Sequence, residues 1–316
     1  MGYRVQRKFP MVTNCNIPAK QNDDAQINIL AAGSHVYAQA KHLMGVQFVL
    51  TVPAALVSSV LMAWQPSWKV WLTSFSVTVA LVDALWLNRA QIQLKKRGAT
   101  LQQMFDCALF ELPWRALRCG SPIDSTDVFT HAKTFLAEPA HKGGLIDWYP
   151  KSVGNLPLPL ARLVCQRISL WLDLRQRDRV RGMLTLILSV LAATVFFIAL
   201  TQGDTVEQMI LTVYVPLAPA VLWIIREMLA QRDAIQADKR GLTHVENLWK
   251  MAMQRQISDA NLSAESTLVQ DALYDARSRS PMVFNWVYNL LRKRHQEQME
   301  HKAAALVEEA IKSFQN

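Results

Sequence analysis

Charged side chains are missing from three long stretches of this chain, and a fourth stretch holds only one. Met44–Trp64, Gly182–Gln202 and Gln208–Ile225 contain no Asp, Glu, Lys or Arg, and Val70–Asn88 contains only Asp83. Each is apolar and close to the roughly 20 residues that a helix needs to cross about 30 Å of hydrocarbon. That excludes an ordinary water-soluble protein, although the mean hydropathy is only +0.08. The average is low because apolar spans and polar segments are mixed in it. The stretches fall into two pairs, each joined by a few residues, which predicts four spans built as two helical hairpins.

Other absences narrow the class further. No alternating strand pattern, internal repeat or low-complexity tract occurs, so the fold class is all-α. The four cysteines (Cys15, Cys107, Cys119, Cys165) form no C-x-x-C pair, and none stands at zinc spacing to one of the seven histidines. They read as free thiols, and neither a metal nor a cofactor is expected. Lys142-Gly143-Gly144 lacks the spacing and the preceding strand of a phosphate loop, and neither H-E-x-x-H nor G-x-S-x-G occurs. Asp124, Asp127 and Glu138 lie near His131 and His141 in sequence, as residues on solvated helix faces do. No enzyme is expected. Residues 1–40 lack the apolar core and cleavage site of a secretory signal, so the first span would serve as its own insertion signal.

Positive charge is what the chain has in excess, with a net +9. Its placement is informative. The turn Gln65–Lys69 carries one base, and Gly203–Glu207 carries two acids and none. Lys41 precedes the first stretch, Arg89, Lys95, Lys96 and Arg97 follow the second, and Arg175, Arg177, Arg179 and Arg181 precede the third. Cytoplasmic flanks carry the Lys/Arg excess. Residues 1–43, 89–181 and 226–316 are therefore expected inside the cell, with hairpins at 44–88 and 182–225. Trp64, Trp68 and Trp71 would mark the outer interface, Trp86 and Trp223 the inner one. Bases beside spans also meet anionic lipid headgroups, so no direct DNA or RNA binding is expected.

The cytoplasmic segments read as helices. Residues 23–43 form an amphipathic helix running into the first span, and a helix after Arg89 is expected to reach Gly98. Leu101, Met104, Phe105, Ala108 and Leu109 then follow helical spacing up to Pro113, and Val128, Ala132, Phe135 and Leu136 do so from a Ser125 cap. Leu160–Arg181 leads into the third span. Leu242–Ile257 and Ala264–Arg277 are further helices, and Ser280-Pro281 predicts the start of a last one over Met282–Phe314.

Within the spans, an ionisable residue is a functional hypothesis by default, although Asp83 is near enough to the cytoplasmic end to pair with Arg89. Thr73, Ser76, Ala80 and Asp83 share one helix face, as do Gln47, Thr51, Ala54 and Ser58, and Thr185, Ser189 and Ala192. Such faces either let helices pack closely or line a wet path in an assembled pore. Pro53, Pro216 and Pro219 each remove a backbone bond and predict kinks. On the pore reading, Asp83, Thr73, Ser76, Thr51, Pro53 and Pro216 are the candidate lining and gating residues.

Several short segments, taken in order, resemble a known family. They are Asn16–Asn22, Leu30-Ala31-Ala32, Tyr37–Lys41, Asp147–Pro150, Ala161–Arg167, Trp171-Leu172-Asp173, and Arg279-Ser280-Pro281 with Trp286, Tyr288 and Arg292. The chain resembles the SMODS-associating four-transmembrane effectors of bacterial antiphage signalling (CBASS) over nearly its whole length. The resemblance implies an inner-membrane effector encoded beside a nucleotidyltransferase. Such an effector senses a cyclic oligonucleotide and, as a homo-oligomer, permeabilises the membrane of the infected cell. A ligand of phosphates and bases calls for cationic side chains and aromatic faces. Trp148, Tyr149, Arg162, Gln166, Arg167 and Trp171 offer both in one region. Trp286, Tyr288, Arg292 and Arg294 form a rival cluster. The alternative function is a membrane-anchored sensor or scaffold without pore activity.

Overall fold

A computed structural model describes residues 14–202, 205–283 and 285–315. The chain is 85% helix, with no strand among the described residues, in agreement with the expected all-α class. A single turn, α1 (Ile17–Lys20), precedes α2 (Asp24–Thr51). Pro53 has no N–H to give, and the helix breaks at Val52 before α3 (Pro53–Trp64) resumes it. α4 (Lys69–Val82) widens into a π turn at Asp83–Leu87 and continues as α5 (Asn88–Phe110). Then come α6 (Ala116–Cys119), α7 (Ser125–Leu136), α8 (Pro139–Lys142) and the long α9 (Leu158–Gln202). α10 (Val206–Met209) leads through a second π turn, Ile210–Tyr214, into α11 (Val215–Met253), followed by α12 (Asp259–Arg279) and α13 (Asn285–Gln315).

Several boundaries differ from the expectation, each for a physical reason. α5 runs unbroken through Gly98, because that glycine is there for packing and not for a stop. A Cβ on Gly98 would lie 2.9 Å from Cε1 of Tyr37, so α2 and α5 cross closely at this point. α7 is capped by Asp124, whose Oδ1 accepts from the Thr126 N–H at 2.8 Å, and not by Ser125. The expected helix over Leu242–Ile257 is the far end of α11. Ser280 closes α12 instead of opening the last helix.

Among the described residues, three helical segments are long and apolar enough to cross a membrane: Asp24–Met62, Lys69–Phe110 and Leu158–Phe197. The fourth apolar stretch, 208–225, is assembled from α10, the π turn and the start of α11, and α11 packs along α9. Two large apolar clusters result among the described residues. The larger fills the body made by α2, α5, α7, α9, α12 and α13, with Phe105, Phe110, Tyr149, Leu160 and Leu163 at its centre. The smaller, around Val52, Leu184, Leu217 and Trp223, sits between the apolar stretches. Trp71, Phe75, Trp86, Leu186 and Phe196 point outward there, as side chains do when lipid replaces a core. Trp223, expected at the inner interface, is instead buried, edge-on to Phe48 with ring centroids 5.5 Å apart.

Candidate functional site

The six residues expected to hold a ligand separate into two groups. Arg162 and Gln166 are one helical turn apart on the buried face of α9. Arg162 points its Nε at the Phe110 carbonyl and its Nη2 at that of Glu111, 3.3 Å away, while Nη1 donates to Ser263 Oγ at 2.8 Å. It thereby closes the C-terminus of α5, where Glu111 is left-handed with φ 53° and helical carbonyls lack partners. Gln166 donates to the Ser266 carbonyl (2.8 Å) and accepts from Ser266 Oγ (3.1 Å). Tyr149 is clamped by Gln21 at its N–H (2.8 Å) and carbonyl (3.1 Å), and its hydroxyl donates to Asp106 at 2.9 Å. Burial, and then the Asp106 charge, push the Tyr149 phenol well above its usual range. Trp148 is half-buried against the same core. These four side chains build the body. Sequence spacing missed Asp106, which receives Gln270 at 3.0 Å and Arg277 at 2.5 Å as well as Tyr149.

Arg167 and Trp171 lie on the other edge of α9 and open onto a cleft of about 590 Å³ between α9 and α13. Met299, His301, Lys302 and Glu297 form the facing wall. Arg167 is held by Glu246 at 2.7 Å, and the Arg175 guanidinium lies 5.7 Å from the Trp171 ring, within cation–π range. Two cations, an imidazole and an indole thus converge on a space of ligand-site size. His301 and Lys302 carried no sequence signal, because only the return of α13 brings them to Arg167. The side chains of the rival cluster (Trp286, Tyr288, Arg292, Arg294) lie outside the described residues.

A second polar site lies within the apolar stretches. Asp83, at the start of the first π turn, accepts from Gln47 Nε2 of α2 and pairs with Arg226 of α11 at 3.2 Å. The partner is thus Arg226 and not Arg89, which is exposed. Thr51 is buried and back-bonds to the Gln47 carbonyl at 2.8 Å. Ser58 and Ser76 are buried, and Thr73 Oγ1 sits 3.9 Å from Met62 Sδ. Pro53 is exposed at the break and Pro216 is buried just after the second π turn. The polar faces of the first two stretches therefore turn inward, whereas Thr185, Ser189 and Ala192 of α9 are exposed on the outside of the chain.

Between these sites lies a band of buried charge. Arg177 pairs with Asp173 at 3.0 Å and approaches Asp238 at 3.3 Å. Burial, reinforced by the Asp173 charge, pushes the Asp238 carboxyl up to about 7. Lys95, lowered by burial, donates to the Ser280 carbonyl at 3.2 Å. No group of three or more metal-ligating side chains is present among the described residues.

The architecture defines a class: a membrane protein, helical and without strands among the described residues, whose apolar helices run on into a packed polar-surfaced body. Residues 15–306 match the SMODS-associating 4TM effector domain, and the chain belongs to that family. No curated protein and no solved structure matches the chain.

Proposed function

We propose that this protein is an antiphage-defence effector of the bacterial inner membrane. It binds a cyclic oligonucleotide in the α9–α13 cleft and, as a homo-oligomer, permeabilises the membrane. Family membership supports the defence role and the link to a nucleotidyltransferase that makes the signal. The observation that carries the mechanism is the continuity of α9. One 45-residue helix lines the cleft with Arg167 and Trp171 and continues into the apolar stretch that begins at Gly182. A rigid helix transmits a shift at one end to the other, so ligand contacts on α9 reach the span along a single element. Four spans, with both termini in the cytoplasm, enclose little water within one subunit. The outward polar face at Thr185, Ser189 and Ala192 supplies a surface for neighbouring subunits, since small and polar residues favour helix contact in lipid.

In this scheme the Asp83–Gln47–Arg226 contact keeps the polar faces shut at rest. The protein needs no cofactor and performs no covalent chemistry; phosphates meet Arg167 and Lys302, and a base stacks on Trp171. The test is purified protein in dye-loaded liposomes, challenged with a panel of cyclic di- and trinucleotides. Dye release by at least one member, abolished in Arg167→Ala/Lys302→Ala, is expected. Binding without release from any condition would leave the sensor or scaffold function instead.

A further inference from the structure

Between α12 and α13 the chain leaves helical geometry for Pro281–Val283 and passes through the band of buried charge. An extended segment in a buried place needs partners for its carbonyls, and here cations supply them. Lys95 Nζ of α5 donates to the Ser280 carbonyl at 3.2 Å, and Arg177 Nη1 of α9 donates to the Pro281 carbonyl at 2.9 Å. Both cations are nearly fully buried. Met282 packs with Ala40 and Met44 of α2, and Val283 joins the apolar cluster of the spans. Arg177 also reaches Asp238 of α11. Four residues of connector therefore touch α2, α5 and α9 near the ends of their apolar stretches, and reach α11 only through Arg177. The next element, α13, supplies the wall of the cleft opposite Arg167.

We propose that Ser280–Val283 is a retaining strap. Seated, it holds the cytoplasmic ends of the apolar stretches that run into α2, α5 and α9 in their closed packing. Drawn out by movement of α13, it takes carbonyls away from two buried cations, which then favour water and a looser arrangement of the helices. This inference rests on the α9–α13 cleft being the ligand site, as far as the trigger is concerned. The strap itself rests on the contacts just described.

Two measurements on the full chain in liposomes separate these layers. The first is amide hydrogen exchange in Met282→Asp, which sets a carboxylate between Ala40 and Met44, with Met282→Leu as the conservative partner. Exchange in residues 91–97 and 177–183 is expected to rise at least tenfold in the Asp variant and to stay at the wild-type rate in the Leu variant. Faster exchange confined to 280–283, with the helix ends unchanged, overturns the strap. Should Met282→Asp not insert, Lys95→Met removes one carbonyl donor and is held to the same expectation in 177–183. The second measurement uses Met44→Cys/Met282→Cys, oxidised to hold the strap in place. Binding of cyclic di-AMP, cyclic di-GMP or cyclic tri-AMP should stay within threefold of wild type. Dye release should vanish and return on reduction; undiminished release from the cross-linked protein overturns the coupling. If wild-type protein releases no dye with any of the three, the pore function fails, and the exchange result still decides the strap.

Discussion

The helix that begins at Lys69 and ends at Phe110 shows its apolar side chains to the outside along one half and hides them along the other. In α4 and the π turn, Trp71, Phe75, Leu81 and Trp86 are exposed while Ser76 and Asp83 are buried. In α5, Leu101, Phe105, Leu109 and Phe110 are buried together with Asp106, and the exposed positions include Lys96. The backbone is nearly the same, so the difference comes from the surroundings. In water, burial of apolar surface drives packing at about 25 cal/mol per Å². In hydrocarbon that drive vanishes, and close fit and interhelical hydrogen bonds take over. Buried polar groups thus appear in both halves for different reasons. In the body they are inclusions in a large apolar core, and between the apolar stretches they share the contact with a smaller apolar cluster.

Predictions follow from how differently the two halves should respond to the loss of a buried carboxylate. The largest effect belongs to the body. Asp106→Ala strands the Arg277 guanidinium, of which 10% of the side chain is exposed, and should cost about 3–5 kcal/mol. Denaturant unfolding of the solubilised protein measures it, and a loss under about 1 kcal/mol would erase the contrast.

Next comes a pH effect in the band between the halves. Asp238 stays protonated in the folded chain up to about pH 7, whereas an unfolded Asp ionises above about pH 4. The folded state therefore holds the extra proton between those values. Its stabilising contribution is complete below pH 4 and is lost as pH rises through 7, by about 1.4 kcal/mol per unit. Asp238→Asn should flatten that slope between pH 5 and 7; an unchanged slope would assign it elsewhere.

Asp83→Ala probes the other half. Arg226 keeps 42% of its side chain exposed and can turn its charge toward the interface, so the cost should be about 1 kcal/mol, well below that of Asp106→Ala. On the pore reading the same variant should leak dye without any nucleotide. The smallest effect on stability is expected at the cleft. Arg167→Ala/Lys302→Ala breaks one partly exposed pair with Glu246, and such pairs contribute about 0.2–1 kcal/mol. Nucleotide affinity, read by calorimetry, should nevertheless fall by about tenfold or more. Equal loss of stability and affinity would make these residues structural.

The three long apolar helices were legible in the sequence because the signal is local: some twenty consecutive residues either carry charge or do not. The all-α class was legible for the same reason, as was the continuation of α9 from body to span. What spacing could not tell was which side of a helix meets water. Arg162 and Gln166 on one hand, and Arg167 and Trp171 on the other, are drawn from a single run of α9. Only their neighbours α5, α12 and α13 decide that the first pair is enclosed and the second open. Likewise Gly98 and Ser280-Pro281 look like stop and start signals locally. Tyr37 fits against the glycine, and Lys95 and Arg177 hold the carbonyls that a new helix would have used.

By itself, then, the amino-acid order pointed to a membrane protein, to an all-α class, and to the family its motifs resemble. Hydrophobicity and helical period are carried by adjacent residues and need no partner. The tertiary structure decided that Asp83 meets Arg226, that Asp106 gathers Tyr149, Gln270 and Arg277, and that α13 closes the cleft over Arg167. Those pairings join residues far apart in the chain. They exist because buried charge and unpaired carbonyls are costly enough to select one arrangement of helices over others with the same local pattern.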